Sequence, residues 1–256
     1  MINITYNSVS LQAGGIVTTD TNIYSSPKKS IQSEKLAEAD GSVIVKETYE
    51  SKSFNCEGHM TASTIALLDT LIDTFKSTMN QTKENFDIDY GGGIRRYVAT
   101  PENVIISRER GLNRAGWSVE FFCEDPVGSD TMTTTLFTGQ VVTSSSAIIP
   151  MTIAGSYKAQ PVITLTISSV TGGTPLKTIT ISNDASLRGM SITRSWLAGD
   201  VLEIDTLNKT VYVNSIAVES SGLYPSWSVG SAGLSYLDDF TARSVTIGAV
   251  YIKRFL

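Results

Sequence analysis

Between Gly199 and Val218 the chain reads GDVLEIDTLNKTVYVNSIAV, a pattern that a helix cannot use. Leu202 and Ile204 are apolar against Glu203 and Asp205, and Val211 and Val213 repeat the scheme around Tyr212. A period of two sends each set to one face of a strand, whereas 3.6 residues per turn would scatter them round a helix. The segment therefore reads as a β-meander with one buried face, turning at Asn214-Ser215. It holds no catalytic dyad, no phosphate loop and no ligand spacing. The expectation is an assembly part whose surfaces, not an active site, carry the function.

The same signals fill the rest of the C-terminal half. KAQPVITLTIS, LKTITISND, SLRGMSITRSW and SVTIGAVYIKRF all read as strands. Gly172-Gly173 and Asn183-Asp184 punctuate them as turns. No helix of useful length is expected there, so this half reads as an antiparallel sandwich or barrel.

The N-terminal half mixes strands with one helix. In STIALLDTLIDTFKSTMN the apolar residues Ile65, Leu68, Ile72, Phe75 and Met79 recur at spacings of 3, 4, 3 and 4, a stripe on one helix face. The helix is expected at about 63–80. Ser63 or Thr61 caps it, and Asp69 and Asp73 face water. NFDIDYGGGIRRYVAT reads as a hairpin, with Phe86, Ile88 and Tyr90 alternating with Asp87 and Asp89 and the three glycines Gly91 to Gly93 making the turn. SVIVKETYESKSFNCEG reads as extended chain. Val104–Arg108 runs out, Gly111–Gly116 forms a loop, and Trp117–Glu124 runs back to close at Asp125-Pro126. At 256 residues the chain suits two domains of about 100–150 residues. Charge thins and Ser and Thr multiply in VGSDTMTTTLFTGQVVTSSSAIIP, read as a linker and first strand, with the boundary near Gly128–Thr135. The division expected is 1–130, mainly β with the one helix, and 131–256, with the last strand returning to the first domain.

Sites of chemistry are scarce. The net charge of −5 does not attract nucleic-acid phosphate as a whole. MINITYNSVSLQAGG lacks the basic start and apolar run of a secretory leader, and no apolar run approaches the ~20 residues that span a bilayer. Synthesis in a cytoplasm is expected, with no membrane insertion. Cys56 and Cys123 then read as free, packed thiols, and a disulfide requires their strands to lie side by side. Cys56-x-x-His59 has a metal-like spacing, but a structural zinc takes four ligands and only Cys123 remains among the soft donors. His59, the one histidine, is placed in the turn before the helix. Its solitude also weakens any Ser-His-Asp or Cys-His mechanism. Carboxylate pairs stand at Asp87/Asp89, Glu124/Asp125 and Asp238/Asp239; Asp87 and Asp89, on one strand face, read as solvated rather than as a glycosidase pair, Asp238-Asp239 suits calcium but lacks an EF-hand loop pattern, and GGGIRRY lacks the Lys-Ser/Thr of a phosphate loop. No enzyme, cofactor or metal is expected.

Two groups of side chains remain as candidates. Arg95, Arg96, Arg108, Arg110 and Arg114 concentrate positive charge in the first half; they can contact nucleic acid, but against the overall acidity they read as charges for inter-subunit pairing, a channel lining or solvation. Trp196, Tyr224 and Trp227 flank the meander. They either fill a core or interface, or face a partner or a glycan by stacking on sugar rings.

The stretch WLAGDVLEIDTLNKTVYVNSIAV followed by SGLYPSWSVG resembles the C-terminal domain of siphophage distal tail proteins, often called Dit. Gly199, Asp200, Ile204, Asp205, Lys209, Val211, Val213, Asn214, Pro225 and Gly230 stand where that family has its Gly-Asp, Ile-Asp, Lys turn, Val-x-Val-Asn strand, Pro and late Gly. Ser215 replaces the glycine usual after Asn214, and Ser231 an asparagine. The first half resembles the family's ring-forming domain in the order strand, helix, Gly turn with RRYVA, and a strand ending FFCEDP. The resemblance implies a mainly β fold, with an α+β ring-forming domain and a galectin-like sandwich. It implies a six-fold ring at a phage tail tip, joining the tail tube protein to the tail-tip hub protein and leaving a channel for DNA in transit. It also implies anchorage of receptor-binding or other baseplate proteins, within the virion. The alternative is a carbohydrate-binding, lectin-like sandwich in host adsorption. In a ring, the apolar N-terminal strands and the termini MINITY and AVYIKRFL are candidate contact segments.

Overall fold

The computed structural model describes residues 2–35, 40–109, 111–186 and 188–256. Its contacts divide into two units, one running to Thr131 and the other Met132–Phe255, with the terminal Leu256 grouped with the first.

The first unit contains β1 (Asn3–Tyr6), β2 (Val9–Ser10), β3 (Ile16–Thr21), β4 (Lys29–Lys35), β5 (Ser42–Tyr49), β6 (Lys52–Thr61), α1 (Ile65–Met79), β7 (Glu84–Asp89), β8 (Ile94–Arg108), β9 (Arg114–Cys123) and the start of β10 (Gly128–Val142). Two antiparallel ladders share the 15-residue β8. Its first half pairs with β7, which continues through β1 to β2. Its second half pairs with β9, which continues through β6 to β3. Aromatic side chains join the two ladders. The Phe86 ring of β7 stacks at 4.5 Å on Phe121 of β9, and Phe54 of β6 meets Phe86 at 5.3 Å and Tyr97 at 4.8 Å. Leu68, Ile72, Phe75 and Met79 of α1 add one buried stripe, with Phe75 5.3 Å from Trp117.

Gly58 belongs to this packing, because a Cβ there would lie 1.9 Å from the Val17 carbonyl oxygen on β3. Gly91 (φ +81°) and Gly93 (φ +150°) close the β7–β8 hairpin in backbone that side chains disfavour.

Several local expectations change. Thr64, not Ser63 or Thr61, is the cap: its extended backbone precedes the first turn and its hydroxyl oxygen accepts the Leu67 amide at 3.2 Å. Ile65 is half exposed, so the stripe is buried only from Leu68 onward. Ile94–Ala99 and Val104–Arg108 are one strand, because an irregularity between Glu102 and Ile105, with Asn103 at φ +49°, absorbs the turn-like PEN sequence. His59 lies within β6, opposite Val17 and Gly116, not in a turn. The Ser/Thr-rich stretch is no linker: Gly128–Val142 is continuous strand.

The second unit holds the rest of β10, then β11 (Ser146–Ile153), β12 (Val162–Thr171), β13 (Lys177–Asn183), β14 (Gly189–Arg194), β15 (Val201–Asp205), β16 (Thr210–Val213), β17 (Ile216–Ala217), β18 (Ser221–Gly222), β19 (Gly230–Asp238) and β20 (Ala242–Phe255). One sheet runs β17-β16-β15-β12-β20-β10 and the other β11-β19-β13-β14-β18. Every strand pairing given for this unit is antiparallel. The meander read from the sequence is β15–β16–β17, with Leu202 opposite Val213 and Ile204 opposite Val211. Asn214 and Ser215 both adopt positive φ, +52° and +64°, so the turn forms without the glycine. Inward residues of both sheets make one core, among them Ile163, Leu165, Leu202, Ile204 and Ile247 against Ile149, Ile179, Ile181, Met190 and Leu234. Over the described residues the chain is thus mainly β with one helix.

The terminal segments are committed to these cores. Ile4 and Tyr6 are buried in the first, and Ala249 and Tyr251 in the second. β20 pairs with β12 from Ala242 through Val250.

Candidate interaction surfaces

The β7–β8 register sets Asp87 beside Arg96. Arg96 Nε and Nη2 donate to the two Asp87 oxygens at 2.8 and 2.7 Å, and this bidentate bond holds the guanidinium above its ordinary pKa. The Arg95 guanidinium stands 4.6 Å from the Tyr90 ring centroid. Tyr90 in turn donates its hydroxyl to the Ile23 carbonyl at 3.0 Å. Arg108, at the far end of β8, pairs with Asp69 of α1 at 2.8 Å, and Arg114 with Glu109 at 3.5 Å. Arg110 lies outside the described residues. Each described arginine of the group is therefore held by a side chain of its own unit. The carboxylate pairs are partly solvated and worth about 1 kcal/mol or less apiece.

The aromatic candidates lie inside. Trp227 is 0% and Trp196 1% exposed. Trp227 Nε1 donates to the Gly233 carbonyl at 2.9 Å, and Trp196 Nε1 to the Lys177 carbonyl at 2.9 Å. Tyr224 is half-buried and packs against the same core. Neither indole can stack on a sugar or meet a partner; both satisfy their one donor within the sandwich.

The carboxylate pairs are also absorbed. Asp89 accepts the Gly91 amide at 2.8 Å, and Glu124 pairs with Lys83 at 3.0 Å. Asp239 accepts the Thr178 amide at 2.8 Å. Asp238 is buried and pairs with Arg243 at 2.9 Å, their side chains 0% and 8% exposed, while its Oδ1 also accepts the Phe240 amide at 2.8 Å. Arg243 Nη2 donates in addition to the Phe240 carbonyl. Asp238 Oδ2 and the hydroxyl of Tyr236, two residues earlier on β19, have no hydrogen-bond partner among the described residues. Burial first, and then Asp238, push the Tyr236 phenol up.

Cys56 and Cys123 are free and buried. Their strands are neighbours, but Cys56 stands opposite Val119 and Cys123 opposite Lys52, four positions along the ladder. That offset is roughly 13 Å, twice the reach of a disulfide. Burial pushes the Cys56 thiol up to about 11 and Cys123 to about 12. Lys52 is almost wholly buried, with Nζ 4.4 Å from the Phe54 ring centroid, and burial lowers its pKa. Among the described residues no three His, Cys, Asp or Glu side chains group to hold a metal.

Two surfaces escaped the reading of side-chain chemistry. β4 and β5 form a two-stranded sheet by themselves, exposed over nearly all its length. Ile31 (54% exposed), Val43 (49%), Ile44 (56%) and Val45 (56%) lie open on it. The second is a groove of about 790 Å³ between α1 and the end of β8. Its floor is Ile72, Met79, Val104 and Ile106, and its rim Asp69, Asp73, Lys76 and Arg108. From Ile105 to Arg108, β8 pairs with β9 alone among the described residues, so one ladder edge is open beside that groove. The apolar run Val43–Val45 was the signal for the first surface. The sequence carried none for the second.

No protein-family model and no curated protein matches this sequence. Among solved structures the chain is similar to SPP1 Dit (gp 19.1), described as a paradigm of the hub adsorption apparatus in phages that infect Gram-positive bacteria. The TM-score is 0.68 and the identity 13%, over 100% of both chains. The match establishes a shared fold across both units. A chain of the phage P2 baseplate in its activated conformation with Ca aligns at TM-score 0.45 and 7% identity, over 97% of each chain. Among the described residues no helix is long and apolar enough to cross a membrane.

Proposed function

We propose that this chain is a structural protein of a phage tail tip, built to assemble and not to catalyse. The observation that carries the reading is the superposition on SPP1 Dit along the whole of both chains, since a partial match would support only one shared module. The sequence resemblance around Gly199–Gly230 supports it independently, because it rests on turn and strand residues.

In this reading the protein forms a closed ring, a hexamer by family resemblance, beneath the tail tube. It joins the tube protein to the tail-tip hub protein, holds receptor-binding or other baseplate proteins on its outer units, and leaves an opening for DNA. The net charge of −5 suits a conduit to which DNA does not adhere. The lectin alternative loses its strongest anchors, because the two tryptophans that would have formed a sugar platform are enclosed.

Negative-stain microscopy of the purified chain, alone and with the tube and hub proteins encoded beside it, tests the reading. Annuli with a central opening are expected. Isolated globules under both conditions overturn it.

A further inference from the structure

We propose that the first unit binds a small monovalent anion, of the chloride class, between the Lys52 ammonium and the Tyr97 hydroxyl. The site lies within one unit and stands apart from the ring reading.

Lys52 opens β6, is 5% exposed, and has no ion pair and no hydrogen bond among the described residues. Aromatic faces surround it. Its Nζ stands 4.4 Å from the Phe54 ring centroid and 5.6 Å from that of Tyr97. Cation–π contacts offset only part of what an ammonium loses on leaving water. The lowered pKa of Lys52 has that origin: burial disfavours a charge that its surroundings do not balance.

A second donor beside it is orphaned. Tyr97, on β8, is 2% exposed, and its hydroxyl has no hydrogen-bond partner among the described residues. The ring is pressed against Gly128, where a Cβ would come within 2.7 Å of Cζ and 2.8 Å of the hydroxyl oxygen. The residue against the hydroxyl therefore brings no side chain to answer it. Buried hydroxyls are rarely left unpaired, because the hydration they had in the unfolded chain is then lost without return.

No neighbour pairs with the ammonium. Cys123 faces Lys52 across the β6–β9 ladder, but burial raises its thiol to about 12 and keeps it neutral at ordinary pH. Asp125 is the carboxylate that acts on Cys123, and its Oδ1 accepts the Val127 amide at 3.0 Å. Asp87 is taken by Arg96 in its bidentate bond. Arg95 adds a second cation, whose charge acts on both Lys52 and Tyr97. A water molecule would satisfy the hydroxyl and leave the ammonium without a counter-charge. An anion answers both, through two charge-assisted hydrogen bonds. The ion is small and singly charged, because a sulfate or phosphate brings more charge and more oxygens than two enclosed donors can bond.

The test follows one ion in two ways, on the full chain. Crystals grown in sodium bromide and measured at the bromine edge should show an anomalous peak within about 3.5 Å of both Lys52 Nζ and the Tyr97 hydroxyl. Calorimetry then compares sodium chloride with sodium gluconate at equal ionic strength. At about 0.2 M salt and a Kd of about 10–50 mM, the first unit's midpoint should lie about 3–6 °C higher in chloride, and the second unit's should stay level. Tyr97→Phe should reduce the difference to under about 1 °C, and Lys52→Met should abolish it. The readout is the difference between salts, so a general loss of stability in a variant does not imitate the result. Should either variant fail to fold, the bromide map and the parent's two midpoints decide alone. Absence of the peak, equal midpoints of the parent in the two salts, or a chloride effect that survives Lys52→Met overturns the proposal. A bromide peak without a salt difference marks an adventitious ion only, and overturns it as well.

Discussion

Trp227→Ala separates an indole that fills a core from one that waits for a ligand. Trp227 is fully enclosed, its Nε1 donates to Gly233, and its backbone exchanges two hydrogen bonds with Ala159 at 2.8 and 3.0 Å. Truncating a buried tryptophan costs about 3–5 kcal/mol, and the Gly233 carbonyl loses its partner at about 1 kcal/mol or more. A total near 5 kcal/mol falls on the second unit. Unfolding entropy of about 2.1 cal/mol/K per residue over roughly 120 residues gives about 0.25 kcal/mol/K, so its melting midpoint should drop by about 15–20 °C. Trp227→Phe keeps most of the ring and loses only the donor, so about 1–2 kcal/mol and 4–8 °C are expected. Differential scanning calorimetry of the whole chain resolves the effect, and the first unit's transition should not move. A shift below about 5 °C for Trp227→Ala, or an equal shift in both transitions, refutes the assignment of this ring to the sandwich core.

Three further outcomes are expected. Asp238→Asn leaves the Arg243 guanidinium buried without its counter-charge and should cost the second unit about 3–5 kcal/mol in urea unfolding; a loss under 1 kcal/mol contradicts the pairing. Thr64→Ala removes the helix cap and should cost the first unit about 1 kcal/mol, with Ser63→Ala near neutral, and a reversed order sinks the capping assignment. In alkali, Cys56 (about 11), Cys123 (about 12) and Tyr6 (about 12) all titrate above their ordinary 9.0, 9.0 and 10.0. Folding therefore favours their protonated forms, and that stability is complete below about pH 9 and lost as pH rises through 11–12. Lys52, with its lowered pKa, acts in the opposite sense and offsets part of the fall. The first unit's midpoint should be level from pH 7 to 9 and then decline; a decline already complete by pH 9 refutes the burial of these groups.

The elements that announced themselves in sequence are those whose neighbours agree with their local pattern. The helix stripe is buried from Leu68 to Met79, and the meander strands pair with Leu202, Ile204, Val211 and Val213 facing one core. The cap was misplaced because Ser63 and Thr64 are both competent oxygens, and only the extended backbone at Thr64 decides between them. The length of β8 was hidden because Pro101, Glu102 and Asn103 look like a turn. Pro101 stands opposite Phe121 within the ladder, and Asn103 takes up the irregularity. Trp196 and Trp227 carry no local sign of burial: an indole suits a core or an exposed platform equally, and the decision lies in distant strands. The groove was invisible for the same reason, since its α1 residues and Val104, Ile106 and Arg108 meet only through the fold.

Among the described residues each unit has its own hydrophobic core: one is built from residues up to Cys123, the other from Val142 onward. A substitution inside one therefore demands no answering change inside the other. Each half can drift at its own pace, and a recombination break near Gly128–Thr131 would exchange a complete, internally consistent module. A lineage can in that way replace one half while keeping the other.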